Sequence, residues 1–533
     1  MKTWKRCLSL LAAVLLVVSM GSFAMAEELP VLELTILNPI FSSSPLGTVV
    51  MDAYMERLEA FANSELGVTL DITWEEPGFW DYLETQSVYL AAGDFPDVFY
   101  IYQKTNLMSI GDEGFLVNLY DYEDSLEYMK PFMEGDPVGL NGLISSETGA
   151  LYAMPTTYIN DTQTTINNYY LRFDTLQANG ITPPESMEEI YEVCLQYKEM
   201  YPNSYPFGNW DANIIGSVLS WMHTNSSIHW DGEAYVFGPL QEEQRVKDTM
   251  IWLNQMYTDG LIDPEYEIMT SDQRHTKMLD NTFFFMPNNY VDQITQFING
   301  NENYPGVVWG TMKQPLNLYG EVTWQPASMK RGMTFDQEHF TVINVDTAEP
   351  EKVVRLMDYA KYAPEMMELV NWGIEGVTYT VDENGEKTYV DSIMNADAPT
   401  LELAQYGLST SCRSGIQLMP QLSDAVSASM GLVPVYNDGE YYESTIYEFG
   451  DAVNTEEVIN PEHSIDAPSV SFSIDEQDEI NRIKTPVDTY VNEALTKFMT
   501  GEMDIETEWD SFIDGIEQMG DIMSIVELYN SKV

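Results

Sequence analysis

Apolar positions switch between two periods along the first part of the chain. Val31–Leu37 is an apolar run of strand length, and a Pro/Ser loop from Asn38 to Pro45 follows it. Met51, Met55, Leu58 and Ala62 then recur at helical spacing, and Gly67 ends that helix. Val68, Leu70 and Ile72 alternate with Thr69, Asp71 and Thr73, the period of a half-buried strand. Trp80, Leu83, Ser87 and Leu90 mark a second helix closing at Gly93, and Val98–Ile101 reads as a short strand. Strand, helix, strand, helix, strand with short connections predicts a sheet covered by helices on both faces, an α/β lobe.

Further along, Pro183-Pro184-Glu185-Ser186 introduces a helix through Met187, Ile190, Val193 and Tyr197. Gln241 to Tyr257 carries Val246, Met250, Leu253 and Met256 on one face, with Trp252 assigned to the core. Asn384-Gly385 between Val377–Val381 and Lys387–Val390 is a hairpin signal. Val487 to Thr500 and Trp509 to Met519 read as two closing amphipathic helices. There is no internal repeat and no low-complexity tract.

The N-terminus changes the compartment. Lys2, Lys5 and Arg6 precede an apolar run from Leu8 to Val18, then Ala24-Met25-Ala26 and Glu27-Glu28. A basic start, an apolar stretch too short to span a bilayer and an A-x-A site make residues 1–26 a signal peptide, cleaved after Ala26. The remaining 507 residues exceed one ordinary core and suit two large lobes. Without the leader's three cations, 21 basic residues face 85 acidic ones, a formal net charge of −64. Such a field excludes nucleic acid and anionic lipid as partners and disfavours polyanionic ligands. Most of those carboxylates read as a solvated surface. Cys7 lies in the leader, leaving Cys194 and Cys412, which are neither a disulfide framework nor a metal knuckle; two buried thiols are the favoured reading and a single bridge stays open.

Catalytic signatures are absent. There is no H-E-x-x-H, G-x-S-x-G, P-loop, C-x-x-C or G-x-G-x-x-G, and the five histidines never fall at metal-ligand spacing. Asp382-Glu383-Asn384-Gly385 resembles part of a calcium loop, but its remaining positions are wrong and the hairpin turn explains it. No enzyme, cofactor or metal is expected. Aromatics tell more. Trp210, Trp230, Trp324 and Trp372 sit among Asn, Gln, Asp and Gly in loop-like stretches. Ring faces can stack on a pyranose while amides and carboxylates take its hydroxyls.

With these residues in view, the chain resembles extracellular solute-binding proteins of family 1, the sugar receptors of ABC importers, and in particular their long branch. The resemblance rests on Ala91-Ala92-Gly93-Asp94-Phe95-Pro96-Asp97-Val98, Leu151-Tyr152-Ala153-Met154-Pro155-Thr156, Leu171-Arg172-Phe173-Asp174-Thr175-Leu176, and Gly260 to Glu265. Asn371-Trp372-Gly373-Ile374-Glu375-Gly376 and the tail from Thr485 to Tyr529 match the long branch. The resemblance implies a type II periplasmic-binding-protein-like fold, two α/β lobes joined by a hinge of crossing strands. It places residues 27–157 with about 335–405 in the first lobe and residues 158–334 with about 406–533 in the second. It further implies a monomer that captures a carbohydrate in the interlobe cleft and delivers it to membrane permease subunits. The net charge favours a neutral oligosaccharide. Relatives often carry a lipobox cysteine at the cleavage site, where this chain has Ala26-Glu27, so a periplasmic or freely secreted protein is the direct reading. The cleft candidates are Asn38, Trp80, Tyr102 and Lys104 from the first lobe, Tyr158 and Asn160 after the first crossover, Trp210, Trp230 and Trp324 from the second lobe, and Trp372, Glu375 and Tyr379 from the branch-specific stretch. A secreted glycan adhesin, or the same fold taking a peptide or another solute, are the alternatives.

Overall fold

The computed structural model describes residues 29–533 apart from 41–43, 161–163, 166, 210–212, 291–293, 295–297, 300, 324–327, 330–331, 397–398, 409–420, 423–424, 426–431, 445–448, 450–466, 469 and 471. The signal peptide therefore lies outside the described residues, as do Trp210, Trp324 and Cys412.

The opening elements follow the apolar pattern closely. In β1 (Val31–Leu37), Leu32, Leu34 and Ile36 are buried while Val31 and Glu33 face solvent. α1 (Val49–Phe61) passes through one π-turn to Gly67, whose left-handed φ of 65° suits a residue without Cβ. β2 (Thr69–Glu75) pairs in parallel with all of β1, from Val31↔Thr69 to Leu37↔Glu75. α2 (Phe79–Ala92) ends at a left-handed Gly93, and β3 (Val98–Tyr102) returns beside β1 at Ile36↔Val98. α3 (Lys104–Asp112) follows at once.

β4 (Ala153–Asn160) leaves this sheet through β5 (Thr164–Thr165) into β6 (Asn167–Arg172). There Tyr169 and Leu171 join one apolar cluster and Tyr170 another, because successive strand residues face opposite sides of a sheet. α4 (Met187–Met200) starts where the hydroxyl of Ser186 accepts from the Glu189 N–H, and buries Met187, Ile190, Val193, Cys194 and Tyr197. β7 (Ile228–Trp230) and β8 (Tyr235–Phe237) form a short hairpin. α5 (Glu243–Thr258) buries Trp252 with Val246, Met250, Leu253 and Met256. α6 (Ser271–Leu279), opened by a Thr270 capping box, β9 (Phe285–Tyr290) and β10 (Trp309–Met312) come next.

β11 (Ser328–Met329) lies antiparallel to β5 as the chain crosses back. β12 (Gly332–Ile343) then inserts antiparallel between β3 and β4. α7 (Pro350–Tyr362), α8 (Pro364–Trp372) and the hairpin of β13 (Tyr379–Val381) and β14 (Lys387–Tyr389) pack on that side. β15 (Gln421–Leu422) pairs in parallel with β4, and β16 (Val433–Asn437) and β17 (Glu440–Ser444) belong to the other sheet. α9 (Ile474–Thr500), α10 (Ile505–Met519) and α11 (Ile522–Asn530) close the chain. α9 begins at Ile474, well before the expected Val487, behind a Ser473 capping box and with Pro486 inside the helix.

Two mixed sheets result, β15-β4-β12-β3-β1-β2 and β17-β16-β10-β6-β9. Their cores do not mix. One runs from Leu32 to Met154 and from Phe335 to Ala425, and the others from Tyr169 to Met312 and from Val433 to Val526. Among the described residues the chain passes between them three times, by β4–β6, β11–β12 and β15–β16. The last change of core falls between Ala425 and Val433 rather than near 405, because Leu403, Leu408 and Ala425 still pack in the first core. Cys194 is buried in the second core as a thiol, with burial pushing its pKa up. No helix among the described residues is long and apolar enough to cross a membrane.

Candidate functional site

Parallel strands gather their carboxyl ends at one edge, where ligands of open α/β sheets bind. In the first lobe that edge holds Asn38 just after β1, Glu75 and Glu76 at and after the end of β2, and Tyr102 at the end of β3. The backbone fixes it tightly. Asn38 N–H donates to the Glu75 carbonyl at 2.8 Å, and Phe79 N–H to the Ile40 carbonyl at 2.7 Å.

Asn38 is fully buried, yet its Oδ1 and Nδ2 find no hydrogen-bond partner among the described residues. An unsatisfied buried polar group costs about 1–3 kcal/mol, so such an amide is normally matched by protein, water or ligand. Glu76 is half spent. Its Oε2 accepts from Ser44 Oγ at 2.5 Å, while Oε1 has no partner among the described residues.

Tyr102 is held from two sides. Gln86 accepts from its N–H at 2.7 Å and donates to its carbonyl at 3.1 Å. Its half-buried ring lies 5.3 Å from the His339 ring and 6.5 Å from Phe79. His339 belongs to a bulge in β12 between Phe335 and Phe340, and its Nδ1 meets Asp336 at 2.9 Å. Gln103 then takes a left-handed φ of 72°, uncommon for a residue with a side chain, and its N–H donates to the Glu338 carbonyl at 2.8 Å. That turn launches α3 at Lys104. The Lys104 Nζ donates at 2.8 Å to the carbonyl of Val470, on the segment that leads into α9. One hydrogen bond thus ties the two lobes together, and burial lowers the Lys104 pKa to about 8.

The remaining candidates scatter. Trp80 is the second residue of α2, and Tyr158 and Asn160 lie on β4 opposite Thr334 and Gly332, at the first crossing. Trp230 is half-buried on β7, its ring 5.3 Å from Tyr235. Tyr235 in turn stacks edge-on with Tyr529 at 5.0 Å, and Tyr529 meets Phe472 at 4.7 Å. This aromatic row ends beside the Val470 segment. Trp372 is a correction. It is not an exposed loop aromatic but the last residue of α8, 1 % exposed, packed against Tyr389 at 4.9 Å and Tyr379 at 5.7 Å. Tyr379 is also buried, donating from its hydroxyl to Glu368 at 2.5 Å, and Glu375 is exposed beside that hairpin. Trp372 and Tyr379 belong to a first-lobe packing unit, because the helix end and hairpin close over their rings. Gln86, His339 and Val470, absent from the sequence candidates, stand at the edge through pairings that no local motif announces. No three His, Cys, Asp or Glu side chains converge as a metal site among the described residues.

Set against solved structures, the chain matches the alginate-binding protein AlgQ2 over 95% of its own length and 98% of that protein's, with a TM-score of 0.70 and 18% identity. An HMO-binding, ABC-transporter-associated solute-binding protein from Bifidobacterium longum infantis matches over 94% and 98%, with a TM-score of 0.68 and 14% identity. The chain has the solute-binding-protein fold. Streptococcus pneumoniae FusA, an ABC-transporter substrate-binding protein complexed with kestose, shares that fold over 94% of this chain and 98% of its own, at a TM-score of 0.65 and 17% identity. In sequence, the lipoprotein LipO of Bacillus subtilis is 23% identical over 237 residues, 41% of this chain and 42% of LipO, so the match spans about two fifths of that relative. No protein-family model matches the chain. At the edge that carries Asn38 and Tyr102, Lys104 touches the segment leading into α9 through Val470.

Proposed function

We propose that the protein is the extracytoplasmic solute receptor of an ABC importer and captures a carbohydrate between its lobes. The observation that carries this is the Asn38 amide, fully buried at the carboxyl edge with neither atom partnered among the described residues. A sugar hydroxyl donates and accepts at once, as such an amide requires. Half-buried Tyr102 adds an aromatic surface, and Glu76 a free carboxylate oxygen.

The likeness in fold to proteins that bind alginate, HMO and kestose supports a carbohydrate as the solute class. Those ligands include both acidic and uncharged sugars, so fold alone leaves ligand charge open. The net charge of −61 for the whole chain favours an uncharged sugar, and the edge carries Glu75 and Glu76 against Lys104. Three crossing segments form the hinge. Ligand touching both lobes draws the open form toward the closed one, and the closed form is what permease subunits in the membrane recognise. No group here is assigned a catalytic role.

Thermal unfolding with a panel of neutral and acidic oligosaccharides tests the reading, since a ligand of the native state alone raises the midpoint. A rise with neutral oligosaccharides, and recovery of the sugar intact, is the expected result. A panel that leaves the midpoint unmoved overturns it.

A further inference from the structure

Beside Lys104 the two lobes enclose a groove of about 320 Å³. One wall is α3, from Lys104 and Thr105 to Ser109. The other is the start of α9 and the segment before it, with Phe472, Gln477 and Asn481. The groove begins two residues beyond Tyr102, so it continues the carboxyl edge of β3 along α3. We infer that this groove is an additional subsite that takes one uncharged sugar unit of a longer ligand, an inference that rests on the carbohydrate reading above.

Its size lies at the lower end of the ~300–1,000 Å³ typical of ligand pockets, enough for one ring rather than a chain. The lining supplies what a pyranose needs. Among the described residues Lys104 spends one of its three N–H groups, on Val470, and keeps two. Gln477 Nε2 donates to Asn481 Oδ1 at 3.1 Å, which leaves the Gln477 carbonyl as an acceptor and the Asn481 amide as a donor. Thr105 and Ser109 expose hydroxyls on the facing wall. Met108 and half-buried Phe472 add apolar surface for the C–H face of a ring. Charge selects against anions, because Asp112 and Asp478 line the groove against the single lysine. Asp112 Oδ1 already accepts from Ser145 at 2.6 Å and from Tyr152 at 3.1 Å, whereas Asp478 is exposed. Since the walls come from different lobes, a sugar unit lodged here would bridge them beside the Lys104–Val470 hydrogen bond. Longer ligands would therefore hold the closed form more firmly than short ones.

Calorimetry of the full chain against neutral oligosaccharides from disaccharide to hexasaccharide tests this, with Ser109→Trp filling the groove and Asn481→Ala removing one donor. Both positions are exposed on helices, and thermal unfolding checks that each variant folds. The expected result is a fall of about tenfold or more in the ratio of longest-to-shortest sugar affinity for Ser109→Trp, and a smaller fall for Asn481→Ala. If the Trp variant does not fold, Asn481→Ala decides alone. A ratio matching the wild type, or equal loss at every length, overturns the subsite and leaves the carbohydrate reading standing. A wild type that binds no sugar of any length overturns both.

Discussion

Two corners of the first lobe are rich in aromatic rings, and they behave differently. Where α8 meets the β13–β14 hairpin, Trp372, Tyr379 and Tyr389 interlock. The Tyr379 hydroxyl donates to Glu368 and the Tyr389 hydroxyl to the Asn371 carbonyl at 2.7 Å. Of that corner's polar atoms, the Trp372 indole N–H is without a partner among the described residues. At the carboxyl edge, Tyr102 is half open and a whole amide, that of Asn38, is unspent among the described residues. Ring density is common to both corners. What separates a binding surface from a core is unspent hydrogen-bonding capacity at a place the second lobe can cover.

The largest expected effect falls on the closed corner. Trp372→Ala deletes a buried indole and should destabilise the protein by about 3–5 kcal/mol in denaturant titration. A loss below about 1 kcal/mol would break the contrast by showing that this ring is not core.

Asn38→Ala should do the reverse. It should weaken carbohydrate binding by about 1–3 kcal/mol in calorimetry, since a hydrogen-bonded ligand group loses its partner. Unfolding stability should stay level or rise, because the variant no longer buries an unmatched amide. A stability loss like that of Trp372→Ala would place Asn38 with the structural residues.

Thr270→Ala removes the capping box of α6, in the second lobe, and should cost about 1 kcal/mol of stability. Binding at the carboxyl edge should not change. A parallel drop in affinity would show that the contrast reports general stability rather than a site.

A further effect concerns pH. Lys104 has its pKa lowered to about 8 by burial, so the folded protein releases that proton before the unfolded chain does. Between about pH 8 and 10.5 the unfolded state binds more protons, and stability should rise with pH across that window. Lys104→Met should remove this rise in urea midpoints measured across it. An unchanged slope would mean that Lys104 is not buried against the second lobe.

How far the sequence carried follows from where each signal lies. β1, α1, β2, α2 and β3 were legible because each is specified by its own apolar period and stop residue, down to Gly67 and Gly93 in left-handed conformation. α4 was legible through Ser186, and the β13–β14 turn through Asn384-Gly385. α9 was cut short because its actual start, capped by Ser473, lies in a polar stretch with weak periodicity ahead of Val487. Trp372 misled because Gly373 beside it looks like a loop, although its φ of 88° simply ends α8. The groove was invisible, since Lys104 and Val470 are 366 residues apart and only tertiary packing joins them. Tyr102 and Lys104 could be chosen from their place after a strand, whereas the bulge that brings His339 to them could not.

The three crossings also set the order in which this chain can be completed. β12 is a central strand of the first sheet but comes after most of the second lobe, and β15 comes later still. The second sheet in turn waits for β16, and its core for α9 to α11. Neither half can therefore close while the chain is only partly made, and nearly every decisive pairing joins distant segments. Such non-local topology folds slowly. A nascent chain of this design stays open for longer than one whose domains finish in sequence, with its apolar strands waiting for partners that arrive last.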